Sequence, residues 1–158
     1  MINYDLKKIK AIVFDVDGVL SAETIQMDDK GEPIRTINIK DGYAIQLAVK
    51  HGLHLAIMTG GHNDNIRLRY DYLGVKDVYI NCSMKINVWS EFLHKYALKE
   101  EEIIYVGDDI PDYEVMQHAG CACCPKDACS EIKHISTYVS DVKGGDGVAR
   151  DILEQVMK

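Results

Sequence analysis

The chain has 158 residues, of which 47% are hydrophobic and 27% charged, with only 3 prolines. That length and composition fit one folded domain over residues 1–158 and exclude a disordered or collagen-like polymer. Lys and Arg number 18 against 25 Asp and Glu, a net charge of −7, which excludes a protein that grips nucleic acid through a broad basic face. No apolar run approaches the ~18 residues needed to cross a bilayer. The charged start MINYDLKKIK has no signal-peptide core, so the sequence predicts a cytoplasmic protein with no membrane partner. The cysteines Cys82, Cys121, Cys123, Cys124 and Cys129 are odd in number, and their C-x-C-C spacing matches neither a disulfide framework nor a common zinc site. They read as structural thiols.

In chain order, short apolar runs alternate with amphipathic segments. KAIVFD (10–15) is the first predicted strand, and residues 22–40 follow as a β-hairpin, with alternating TIQMDD and PIRTINIK about a DKGEP turn. A helix is then predicted near 42–51, the strand HLAIM at 54–58, a helix near 64–73 and the strand VYI at 78–80. Beyond them come a helix near 84–97, the strand EIIYV at 102–106, a helix near 111–118 and the strand GCACC at 120–124. The remaining predictions are a helix near 127–133, a short strand TYVS at 137–140, and a helix near 147–157 after the glycine-rich KGGDG, which opens a tail over 143–158. Strands apolar throughout, alternating with helices, imply an α/β fold with a mainly parallel sheet covered on both faces.

Chemistry-bearing residues cluster after strands, where α/β folds build ligand sites. Asp15 and Asp17 stand two apart after the first strand, with Gly18 allowing a turn. An EF-hand is excluded, because Gly18 falls at the fourth loop position and Gln26 stands where a bidentate Glu is required. Asp108, Asp109 and Asp112 follow EIIYV. Helix capping by Asp109 ahead of Pro111 explains one or two of these acids, but a magnesium ion better explains both clusters together. Thr59-Gly60-Gly61 after HLAIM offers a hydroxyl and amides to a phosphate, and Lys85, opening the next helix, offers a point charge. Either of these alone is also what a solvated turn or helix start looks like.

The order of the four motifs is specific: D-x-D-G, then T-G-G, then Lys85, then G-D-D-x-x-D. It resembles the haloacid dehalogenase superfamily of phosphotransferases over nearly the whole chain. The short hairpin in place of a cap domain, IKDGYAI (39–45) and the GGDGVARDIL tail are similar to its small capless group, that of the 3-deoxy-D-manno-octulosonate 8-phosphate (KDO-8-phosphate) phosphatases and their relatives acting on nine-carbon sugar acids. The resemblance implies a Rossmann-like fold and hydrolysis of a small sugar-acid phosphate through an aspartyl-phosphate. Asp15 would be the nucleophile and Asp17 the general acid and base. Thr59, Gly60 and Lys85 would hold the phosphoryl group. Asp15, Asp108 and the Asp17 carbonyl would bind Mg2+, with Asp109 and Asp112 supporting them. It also implies a homotetramer, with the tail of one subunit over the next subunit's site.

The group usually carries T-G-R and G-G-R-G, whereas this chain has Gly61 and Asp146 at the arginine positions. Arg67, Arg69, Lys143 or Arg150 must then serve an acidic sugar, or the substrate differs. Two other function classes compete. A phospho-accepting signalling domain would take its acceptor from a middle strand and would not place Asp17 beside it; a non-catalytic assembly domain would not keep the full set of acids.

Overall fold

The computed structural model describes residues 1–158. A six-stranded parallel sheet runs through the molecule in the order β5-β4-β1-β6-β7-β8, formed by β1 (Ala11–Phe14), β4 (His54–Met58), β5 (Asp77–Tyr79), β6 (Ile103–Val106), β7 (Cys121–Cys124) and β8 (Tyr138–Val139). A separate antiparallel pair, β2 (Gln26–Met27) and β3 (Pro33–Ile34), forms the hairpin after β1. The helices are α1 (Ile39–Lys50), α2 (Asn65–Tyr72), α3 (Lys85–Tyr96), α4 (Tyr113–His118), α5 (Ser130–Ile135) and α6 (Val148–Val156).

Side chains alternate across a strand, and here that alternation divides the core in two. Ile12 and Phe14 of β1, Leu55 and Ile57 of β4, and Ile104 and Val106 of β6 face one way, against α1, α2 and α6. Ala11, Val13, Ala56, Met58, Ile103 and Tyr105 face the other, against Trp89 and Phe92 of α3, Met116 of α4 and Ile132 of α5. Both sides of the central strands are therefore apolar, which is why they read as unbroken hydrophobic runs. Cys121, Cys123 and Cys124 fill the same role in β7, and all five cysteines are free thiols.

The chain leaves β1 toward β4 and leaves β6 toward β7, so the crevice between the carboxyl ends of β1 and β6 lies where the connections diverge. Asp15 and Asp108 stand at that crevice.

The hairpin is shorter than its sequence pattern implies. Only two residues pair on each strand, and the 35–40 segment expected to extend the second strand does not do so. Asn38 accepts from Asp41 N at 2.9 Å and caps α1, so Ile39 and Lys40 are helical. The apolar positions that produced the strand-like alternation, among them Met27, Ile34, Ile37 and Ile39, are exposed in the single chain.

Candidate active site

Asp15 is carried past β1 by one further sheet bond, from its N–H to Val106 O at 3.0 Å. Its Oδ1 accepts from Val16 N at 2.7 Å and its Oδ2 faces Lys85 Nζ at 3.0 Å. Lys85, first residue of α3, also donates to Asp112 Oδ1 at 2.7 Å. Lys85 is thus held between two carboxylates, and all three side chains are buried. Burial alone would pull the ammonium down, but the adjacent Asp15 and Asp112 charges outweigh it and hold Lys85 above its ordinary value. Asp112 is in turn fixed from behind: Tyr105 OH donates to Oδ1 at 2.7 Å and Asp108 N donates to Oδ2 at 3.1 Å.

Asp108 follows β6 and meets Asp15 across the crevice. Carboxylate oxygens of Asp15, Asp108 and Asp112 lie within 4.8 Å of one another. Burial, and then the neighbouring Asp112 charge, raises Asp15 well above the carboxylate range; burial, Asp112 and Asp109 push Asp108 up to about 7. Carboxylates this close favour either protons or a cation between them. Asp112 takes three donors, Lys85, Tyr105 and an amide, whereas each Asp15 oxygen faces a single donor, which makes Asp15 and Asp108 the less encumbered pair to ligate. Gly18 makes their approach possible. Its φ is +83°, and a Cβ there would lie 1.8 Å from Asp108 Oδ2.

Thr59 follows β4 and is almost fully buried. Its Oγ1 accepts from Gly61 N at 3.1 Å, which leaves the hydroxyl proton for a ligand. Asp109 is exposed, and its Oδ1 accepts from Ile110 N at 2.9 Å at the start of the short 3-10 turn leading into α4. Asp15, Asp17, Thr59, Gly60, Lys85, Asp108 and Asp109 all line one cavity of about 590 Å³. The four motifs, far apart in the chain, are brought together as the sequence implied.

The four cations expected to serve the sugar are not among them. Arg67 donates to Val78 O at 3.0 Å and lines a different groove beside β5. Arg69 lies against Gly42 under the hairpin. Arg150 sits in the first turn of α6, paired with Glu154 and stacked over Tyr43. Lys143 is exposed on the tail. Gly145 N donates to Val19 O at 2.9 Å, and a Cβ on Gly144 would lie 1.9 Å from Gly18 O. Contact of glycine backbone on backbone docks residues 144–145 on their own chain, beside the loop after β1.

Sequence reasoning missed two residues. Tyr105, behind Asp112, was legible only as core, although a buried phenol needs a partner. Arg35 follows β3, and its Nε and Nη2 donate to Asp17 Oδ1 and Oδ2 at 2.8 and 3.1 Å, a bidentate pair. Its neighbour Thr36 anchors it: Thr36 N donates to Ser21 Oγ at 2.9 Å and Ala22 N donates to Thr36 Oγ1 at 2.8 Å. The signal available in the sequence was one arginine on a hairpin projecting from the site end of the sheet.

This constellation has known counterparts. Residues 78–152 match the model of the haloacid dehalogenase-like hydrolases. The 3-deoxy-D-manno-octulosonate 8-phosphate phosphatase of Salmonella typhi is 33% identical over 151 residues, 96% of this chain and 80% of the relative. The chain belongs to the haloacid dehalogenase-like hydrolases. Its catalytic class is that of phosphoric monoester hydrolases. Two solved members share the fold closely. The phosphatase of that name from Yersinia pestis aligns with a TM-score of 0.92 at 30% identity over 96% of this chain and 82% of its own. The enzyme from Moraxella catarrhalis, solved with magnesium, phosphate and KDO, aligns with a TM-score of 0.91 at 27% identity over 96% and 87%.

Proposed function

We propose that this chain is a magnesium-dependent phosphatase of a sugar-acid phosphate, foremost 3-deoxy-D-manno-octulosonate 8-phosphate, acting through an aspartyl-phosphate on Asp15. The observation that carries the reading is the bridge of buried Lys85 between Asp15 and Asp112, with Asp108 and Thr59 on the same cavity wall. Lys85 and the Thr59 hydroxyl bind phosphoryl oxygens and, with the Gly60 turn, orient phosphorus toward Asp15. An Asp15 oxygen attacks phosphorus while the bond to the sugar oxygen breaks and Asp17 gives that oxygen a proton. Water then attacks the phosphoryl group, Asp17 takes its proton, and the bond to Asp15 breaks to release phosphate.

Asp15, Asp108 and the Asp17 carbonyl would hold Mg2+, and Asp112 and Asp109 would support them. Carboxylate oxygens of Asp15, Asp108 and Asp112 within 4.8 Å of one another, partly buried, are a donor set that a hard divalent cation fits. When bound, the ion neutralises charge developing on the phosphoryl oxygens. The M. catarrhalis enzyme's magnesium, phosphate and KDO support this assignment.

Residues 1–158 would act as one domain within a homotetramer, in which the exposed apolar positions Met27, Ile34, Ile37 and Ile39 meet other subunits. The test is phosphate release across eight- and nine-carbon 2-keto-3-deoxy sugar phosphates with hexose phosphates as controls. Preference for the eight-carbon acid supports the reading, preference for a nine-carbon acid moves the substrate to that class, and preference for a hexose phosphate overturns it.

A further inference from the structure

The guanidinium of Arg35 is only partly used. Nε and Nη2 are paired with Asp17, while Nη1 is enclosed by protein and has no acceptor. A buried guanidinium N–H without an acceptor is costly, and such groups mark places where a partner is missing. The chain clears room for this one. At Gly61 a Cβ would lie 2.6 Å from Arg35 Nη2, so a side chain there would push the guanidinium from its place. Arg35 also stands between two cavities: it contacts Asp17 and Gly61 of the catalytic cavity and lines a second, of about 310 Å³, beneath the hairpin.

Charge points the same way. The catalytic cavity is lined by Asp15, Asp17, Glu23, Asp108 and Asp109 against one cation, Lys85. Lys85 is committed to the phosphoryl end, so an acid group elsewhere on a substrate needs a second cation. Of the chain's arginines, Arg67 and Arg150 are engaged away from this cavity, Arg69, whose Nε is likewise buried without an acceptor, lies beside Arg35 on the cavity beneath the hairpin, and only Arg35 holds a carboxylate of the catalytic cavity.

We propose that Arg35 is the specificity residue for the substrate's acid group, binding the carboxylate through the guanidinium edge that Asp17 leaves free. The hairpin, paired through two residues on each strand, is the element that yields to admit it. This inference rests on the sugar-acid phosphatase reading and adds to it the residue that tells an acid from a neutral sugar.

The experiment compares kcat/KM for the sugar-acid phosphate with that for the same compound bearing an alcohol in place of the carboxylate, in the Mg2+-loaded enzyme. Inhibition by the dephosphorylated sugar acid serves as a separate binding readout. Losing a charge-assisted contact predicts that Arg35→Gln lowers the acid-over-alcohol ratio by roughly 10- to 100-fold and weakens product inhibition in parallel. Arg35→Lys, keeping charge without the fork, should fall between. Gly61→Ala, which displaces the guanidinium without removing it, should shift the ratio the same way, and so preserves the test if Arg35→Gln fails to fold. Lys143→Ala should keep the wild-type ratio.

Equal losses on both substrates in Arg35→Gln would overturn the proposal, reducing Arg35 to a support for Asp17. A ratio that falls in Lys143→Ala but not in the Arg35 variants would also overturn it. Wild-type enzyme with no acid preference would refute the sugar-acid reading itself, whereas a wild-type preference retained by Arg35→Gln removes Arg35 alone.

Discussion

Replacing Lys85 with Met removes the cation that separates two buried carboxylates while keeping most of the stem's volume. At 3.0 Å from Asp15 and 2.7 Å from Asp112, with an effective dielectric near 20, each attraction is on the order of 6 kcal/mol. Burial of the ammonium offsets much of this, and breaking a buried pair from one side costs about 3–5 kcal/mol net. At the low end of that range, and ~2–4 °C per kcal/mol for a chain this long, metal-free Lys85→Met should melt about 6–12 °C below wild type at pH 8. The deficit should shrink toward pH 5, because Asp15, already held above the carboxylate range by burial and by Asp112, takes up a proton in place of the lost charge. Thermal melts at both pH values test this, and phosphate release on the same samples should fall by about 10²–10³-fold with loss of a phosphoryl-binding cation. A metal-free melt within about 1 °C of wild type at pH 8 would refute the electrostatic account of the Asp15–Lys85–Asp112 bridge.

Asp15→Asn should keep a cooperative melt and lose more than about 10³-fold in turnover, and activity within about tenfold of wild type would exclude Asp15 as nucleophile. Gly18→Ala forces a Cβ into Asp108 at positive φ, and should lower both melting temperature and apparent Mg2+ affinity; isothermal titration showing unchanged affinity would contradict the role given to that approach. Tyr105→Phe removes one donor to Asp112, and should cost about 1–3 kcal/mol of stability in denaturant melts. Asp108, pushed up to about 7, lends the metal-free fold a contribution present in full below the unfolded carboxylate value and lost as pH rises through about 7. Mg2+ should therefore raise the melting temperature more at pH 8 than at pH 6, and an equal gain at both would contradict the assignment.

The sheet was legible because burial on both faces forces apolar residues at every strand position, and α3 because Trp89 and Phe92 mark one buried side. The acids were legible for a related reason: Asp15 follows directly on an apolar strand and Asp108 one glycine after another, where a charge is conspicuous. The hairpin misled because Ile37 and Ile39 continue an alternation that Asn38 interrupts by capping α1, a local hydrogen bond that periodicity does not register. The cations named for the sugar lie off the catalytic cavity of the single chain for a different reason. Arg67, Arg69 and Arg150 lie on helices whose rotation about their axes only packing decides, while Arg35 owes its place to Thr36 gripping Ser21 and to empty space at Gly61, contacts between segments distant in sequence.

The central claim is that Asp15 carries the phosphoryl group during turnover. Rapid acid quench of Mg2+-loaded enzyme mixed with 3-deoxy-D-manno-octulosonate 8-phosphate, followed by peptide mass analysis, tests it directly. The account predicts one phosphoryl group on the peptide containing Asp15, formed before free phosphate accumulates at its steady rate and absent from Asp15→Asn. Phosphate released at the full rate with no phosphorylated peptide at any quench time, or with the label on another residue, would contradict it.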